Sequence, residues 1–138
     1  MPAASLIARA LPALALAALS AACVAIPDAP IVDGPSPQVA GTSVGLGQPV
    51  WVGKLVATPA GVIEDSRCPM DARCVWAGRL VVNTRIDGAG WRQTAPLTLG
   101  EPYAIKGTTI TLTSGTPEKM AGEGGATQAD HFTYEGGN

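Results

Sequence analysis

Three cysteines, one histidine and a run of carboxylates and guanidiniums between Glu64 and Arg79 are the residues of this 138-residue chain with chemistry to offer. A structural zinc site needs about four ligands, mostly Cys and His, at recurrent spacing. Cys68 and Cys74 are close enough to bridge each other, and His131 stands alone, so no metal site is expected. Glu64, Asp65 and Asp71 are near enough in sequence to share a calcium ion, which takes several oxygens from one loop. Arg67 and Arg73 stand among them, however, and that mixture reads instead as solvated turn carboxylates beside their counter-ions. His131 could serve a serine as general base, but neither Ser66 nor Ser114 sits on the strand-to-helix elbow that presents a nucleophile. His131 also leads into a glycine-rich tail that would hold it poorly. No glycine-rich loop stands between a strand and a helix to cradle phosphate. No catalytic residue and no cofactor are expected, and the chain reads as a non-enzyme.

The spacing of Cys68 and Cys74 is not CxxC, which argues against a thioredoxin-like redox role. Paired, they would close a ring of about seven residues, worth about 2 to 2.5 kcal/mol in the chain-entropy model. Pro69 stiffens that ring, and Asp65 and Asp71 can satisfy turn amides. The pair is expected to be a structural staple in an oxidising compartment. Trp76, soon after the second cysteine, is expected to pack on the bridge as a core residue. Trp51 and Trp91 are divided between core packing and an exposed face that could stack a sugar or fill a partner's pocket.

The segment EDSRCPMDARCVWAGR, residues 64–79, resembles one found in a group of small bacterial lipoproteins and secreted proteins, whose pattern is DSRCP, a few residues, then CVWAG. Asp65-Ser66-Arg67-Cys68-Pro69 and Cys74-Val75-Trp76-Ala77-Gly78 fill both halves, and the likeness extends over much of residues 47–134, thinning toward the C-terminus. The resemblance implies a β-rich domain of the cell envelope and implies no reaction.

The N-terminus reads as an export signal. Arg9 is the only charged side chain before Asp28, and residues 10–22 (ALPALALAALSAA) are apolar and mostly small. That run suits a signal-peptide core and is too short to span a bilayer, which takes about 20 residues. Small residues before Cys23 resemble a lipoprotein cleavage site, although Ser20 stands where Leu, Val or Ile is usual and Leu19 lies one position too far. The competing reading is ordinary cleavage after Ala22 or Ala25, which would release a soluble protein. Cysteine parity favours lipidation: if Cys68 and Cys74 pair, Cys23 is left over and acylation accounts for it. Val24 after the cysteine would suit outer-membrane sorting in a Gram-negative host. The chain carries nine basic and eleven acidic residues, net −2, and its arginines are scattered. Nucleic-acid binding is disfavoured because it needs a clustered cationic surface.

These residues must be held by something, and the pattern says strands. Residues 25–48 are rich in Pro, Gly, Ala and Ser; Pro27, Pro30, Pro35 and Pro37 remove backbone donors. The segment is expected to be an extended tether. Past Pro49, short apolar runs follow at 50–52, 54–58 and 61–64. Residues 75–87 show the clearest period of two, with Leu80, Val82, Thr84 and Ile86 on one face, and Gly78 is expected to mark a bulge. Glycines 88 and 90 predict a hairpin into residues 91–99, with Pro96 tolerable only at an edge. Residues 103–106 and 108–114 follow as strands, 114–120 and 121–125 as loops, and 132–135 as a last edge strand. No helical period is sustained after the signal.

The expected architecture is therefore all-β: a small immunoglobulin-like or related β-sandwich, or a small barrel, with one short-loop disulfide. The expected division is a signal peptide over 1–22, a tether over 23–48 and the β-domain over 49–138. The expected role is a non-catalytic envelope lipoprotein, anchored in the membrane at Cys23, that binds or scaffolds an envelope protein or a cell-wall glycan. Arg67, Pro69, Met70, Asp71, Arg73, Trp51 and Trp91 are its candidate contacts. The alternative is an inhibitor of an exported hydrolase, presenting the Cys68–Cys74 loop with Pro69-Met70-Asp71 at its tip.

Overall fold

Strict alternation of apolar and polar residues can bury only one face, so each strand of this chain needs a facing layer. The computed structural model describes residues 29–121 and 128–138 and shows how that need is met. Eight strands lie among the described residues: β1 (Val44–Gly45), β2 (Val50–Val52), β3 (Leu55–Asp65), β4 (Leu80–Gly88), β5 (Trp91–Thr98), β6 (Pro102–Ile105), β7 (Thr108–Thr116) and β8 (His131–Gly136). They form two antiparallel four-stranded sheets, ordered β2-β3-β4-β5 and β1-β8-β7-β6. The all-β sandwich and its short-loop disulfide are present.

The connections are those of a meander. Every strand neighbours the next in sequence within its sheet, and β1 returns beside β8. The molecule is thus an eight-stranded up-and-down ring, flattened and split at two corners, and lacks the Greek-key crossings of an immunoglobulin domain. Backbone bonds stitch both corners. At the β5–β6 corner, Leu99 N donates to Leu80 O and Gly100 N to Leu112 O, each at 2.9 Å, joining one sheet to the other. At the β1–β2 corner, Gly47 N donates to Pro59 O at 2.7 Å.

One core fills the space between the sheets. Leu80, Val82, Ile86 and Leu97 from the first sheet meet Ile110, Leu112, Phe132 and Tyr134 from the second. The polar pair inside it is satisfied: Thr84 Oγ1 and Tyr134 Oη lie 3.0 Å apart. Burial pushes the Tyr134 phenol far above its ordinary range, with the Thr84 bond opposing. Gly115 lets β7 approach β4, since a methyl group there would overlap the Leu80 side chain. The β4–β5 hairpin forms as expected, with Gly88 opposite Trp91 and Gly90 at φ 73°, and Pro96 lies on edge strand β5.

Several expectations need correction. Residues 55–58 and 61–64 belong to one strand, β3, with Lys54 in the turn before it; its register shifts fall at Pro59/Gly61 and Val62/Glu64. Gly78 is not a strand bulge; it lies against the Ser66 backbone, where a Cβ would collide. The last strand is not an edge: β8 lies between β1 and β7. Nor does the folded unit begin at residue 49. Val44 is fully buried in the core, and β1 pairs with Phe132 and His131.

Residues further upstream are also placed on the domain. Pro30 bridges Ala89, and Gln38 bridges Val50, with Gln38 N donating to Pro49 O at 2.8 Å and Trp51 N to Gln38 O at 3.0 Å. The segment between them crosses the outer face of the β2–β5 sheet as a strap. This explains why Val56 and Asp87, which point away from the core, are nonetheless buried. Proline in this stretch prevents regular pairing, yet its carbonyls still accept bonds. The signal peptide over 1–22, Cys23, the tether up to residue 28 and most of the loop expected over 121–125 lie outside the described residues.

Candidate functional site

The long β3–β4 connection carries the cysteines, and its position is set by one carboxylate. Asp65, the last residue of β3, is half-buried as a residue but its side chain is nearly inaccessible. Arg67 Nε donates to Asp65 Oδ1 at 2.7 Å and Nη2 to Oδ2 at 2.9 Å, a bidentate pair. Two further guanidinium hydrogens reach β7 and the segment after it, with Nη1 donating to Gly115 O at 2.8 Å and Nη2 to Pro117 O at 3.1 Å. Ala129 N donates to Asp65 Oδ2 at 3.1 Å. Lys119 Nζ lies 3.9 Å from Asp65 Oδ1 and donates to the Asp65 carbonyl. Burial alone would raise the Asp65 pKa; the Arg67 bonds, the Ala129 amide and Lys119 together outweigh it and hold the carboxyl below its usual range. The Asp65 bond raises that of Arg67 in turn, against the opposing effect of burial.

The loop beyond this clamp is fastened at three more points. Cys68 and Cys74 are disulfide-bonded, with Cα atoms 5.9 Å apart. Met70 N donates to Lys119 O at 2.9 Å, and Ala121 N donates to Asp71 Oδ1 at 2.6 Å. At the loop's root, Ser66 N donates to Arg79 O at 2.9 Å, Ser66 Oγ donates to Glu64 at 2.8 Å and Arg79 Nε donates to Glu64 at 2.8 Å. The Ser66 hydroxyl and then Arg79 keep the Glu64 carboxyl below its ordinary value.

What the clamp presents is apolar. Val75 is 96% exposed, Met70 70% and Trp76 63%. Met120, from the β7–β8 segment that backs the loop, is exposed as well. Trp76 therefore does not pack as a core residue. The core is already filled by both sheets, and the sharp return at Gly78 carries residues 75–77 outward.

The other candidates divide into holders and presenters. Arg67 has its guanidinium committed to Asp65 and the β7–β8 carbonyls. Pro69 is half-buried, Asp71 is tied to Ala121, and Arg73 is exposed. Trp51 lies on the outer sheet face beside the strap, and Trp91 covers Gly88 and packs against the core. These two tryptophans are thus at the other end of the molecule from Trp76. The carboxylates weighed for calcium do not pool: Glu64 faces Arg79, Asp65 faces Arg67 and Lys119, and Asp71 caps a backbone amide. Among the described residues, no three His, Cys, Asp or Glu side chains gather as a metal site. His131 Nδ1 contacts Asp130 at 2.6 Å, both exposed, while Ser66 is engaged by Glu64 and Arg79.

Sequence reasoning missed Lys119, Ala129 and Met120. They come from a strand connection roughly fifty residues away, and no local spacing signals such a partnership. Comparison of the chain with family models, curated proteins and solved structures finds no match. The class defined by fold and site is a flattened up-and-down β-sandwich with a clamped, disulfide-closed loop at one end.

Proposed function

We propose that the protein is a non-catalytic envelope lipoprotein, anchored at Cys23, which binds a partner protein through the Cys68–Cys74 loop. The observation carrying this reading is the exposure of Met70, Val75 and Trp76 on a loop fastened by a buried ion cluster and a disulfide. Apolar side chains held in fixed positions lose little entropy on association, which is how anchors of an interface act. An aromatic beside aliphatic and thioether groups suits a protein surface as the partner, and a cell-wall glycan is the second candidate through stacking on Trp76.

A photo-crosslinking residue at position 75, introduced in the native host, tests the reading. Capture of one defined partner, abolished by Trp76→Ala in a protein of unchanged stability, is the expected result. No specific adduct from positions 70, 75 and 76 would overturn it.

The inhibitor reading remains the alternative, since Met70 projects from the disulfide ring. Substrate-like insertion into a hydrolase cleft needs free backbone in the inserted strand, and the Met70 amide is already bonded to Lys119 O. That favours side-chain anchoring over inhibition.

A further inference from the structure

We infer that the protein lies with its β2–β3, β4–β5 and β6–β7 turns against an anionic bilayer, so that the disulfide loop points away from the membrane. This placement rests on Cys23 as the anchored residue, as proposed above.

Pro30 bridges Ala89 in the β4–β5 turn, and the strap is held there by Arg92, whose Nη1 donates to Asp33 Oδ2 at 2.9 Å and Nη2 to Ile31 O at 3.0 Å. Cys23 precedes Ala29 by roughly six residues, about 20 Å at full extension. Strand β4, nine residues long, separates the two ends of the sandwich by about 27 Å at the usual rise. A lipid on Cys23 therefore holds the β4–β5 turn nearer the bilayer than the disulfide loop, which lies beyond the opposite end of β4.

The chemistry of that end suits a lipid surface. A cleft of about 750 Å³ opens between the turns, lined in part by Lys54, Lys106 and Trp91, and no carboxylate side chain is among its lining residues. Ile31, exposed beside the strap bridge, adds an apolar contact. Two ammonium groups, an indole and an isoleucine form the combination that favours the headgroup region of an anionic leaflet. The far end carries Glu64, Asp71, Glu118 and Asp130 around the loop, offset by Arg73, Arg79 and Lys119, so it has no net positive charge to draw it to the same leaflet. The orientation presents Met70, Val75 and Trp76 to partners above the membrane.

The test uses the chain from Cys23 onward, coupled through its free thiol to a maleimide phospholipid. Vesicles contain phosphatidylcholine with about one-fifth phosphatidylglycerol. Single-tryptophan variants report each end: Trp51→Phe with Trp76→Phe leaves Trp91, and Trp51→Phe with Trp91→Phe leaves Trp76. A headgroup nitroxide lipid is expected to quench Trp91 several-fold more than Trp76. Lys54→Glu with Lys106→Glu is expected to erase most of that difference. Equal quenching of both, stronger quenching of Trp76, or quenching of neither would overturn the inference. The unsubstituted protein supplies a second measurement. Acetylation of Lys54 and Lys106 should slow several-fold on vesicles relative to the uncoupled chain, and unchanged rates would also overturn it. The mass of the protein from native membranes reports separately whether Cys23 is acylated, so a failed anchor and a wrong orientation give different results.

Discussion

Two buried aspartates organise the surface of this sandwich, and they are not equivalent. Asp65 fastens the disulfide loop, and Asp87 fastens the N-terminal strap. Each sits at the end of a core strand and takes two cations: Arg67 and Lys119 in the first case, Arg85 and Arg92 in the second. The cations of the Asp65 cluster are drier, with the Arg67 side chain 10% exposed against 39% for Arg92, and a backbone amide completes it. It is reinforced by a covalent bond within the same loop. The Asp87 cluster reaches outward to an exposed Asp33, helped by two backbone bridges and the Arg92 bond to Ile31 O. The same pairing chemistry thus yields a covalently closed, closely fastened loop at one end and a strap with more exposed fasteners at the other. Desolvation and a covalent closure make the difference.

The largest effect should come from Asp65→Ala. It strands Arg67 and Lys119 in a dry site, and breaking a buried pair costs about 3 kcal/mol, readable as a lower midpoint in urea. Changing Asp65 and Arg67 together to apolar residues should restore part of that loss, because no lone charge remains buried. If the single and double variants are equally unstable, the cluster does not hold the loop.

Replacing Cys68 and Cys74 with serine should cost about 2 kcal/mol. The Met70 amide should stay protected from hydrogen exchange because the ion cluster persists. Loss of protection throughout 66–79 would show that the disulfide, and not Asp65, is the main fastener.

Acid should act on the first cluster more gently than deletion does. Asp65 has a folded-state pKa lowered from its model-compound value of 3.8, so the unfolded chain binds its proton more readily. The associated stability is fully present above about pH 4 and is lost as pH falls through the lower folded value. The protection factor of the Ala129 amide, its intrinsic exchange rate divided by the observed one, should therefore fall below about pH 4, and Asp65→Asn should abolish that dependence.

The smallest effect is expected for Arg92→Ala. It should leave the urea midpoint nearly unchanged while hastening exchange of the Trp51 amide, which donates to Gln38 on the strap. A large loss of stability would mean that the strap is an integral part of the fold.

Legibility in the sequence followed the range of the interactions. The strand expected over 75–87 is found at 80–88, with residues 75–79 in the loop before it; its alternating part and the hairpin at Ala89-Gly90 could be read directly, because alternation and glycine φ preferences act between neighbours. The Cys68–Cys74 bridge was readable for the same reason. The strap was not: its Pro and Gly content correctly excludes regular structure but says nothing about Asp33 meeting Arg92, roughly sixty residues away. Trp76 was misplaced because a large aromatic beside a disulfide resembles a core residue until the core is seen to be full. Arg67 was read as a contact, whereas its partners on β7 and the β7–β8 segment turn it into a fastener.

By itself, then, the sequence determined the all-β class, the hairpin and the staple, all set by local spacing. Tertiary structure alone decided that two meanders close into a flattened ring, that β8 is interior, that residues 30–38 cross the outer face and that the loop's apolar side chains point outward. Those outcomes depend on which distant surfaces exclude water from one another, and that becomes definite only when both sheets have come together.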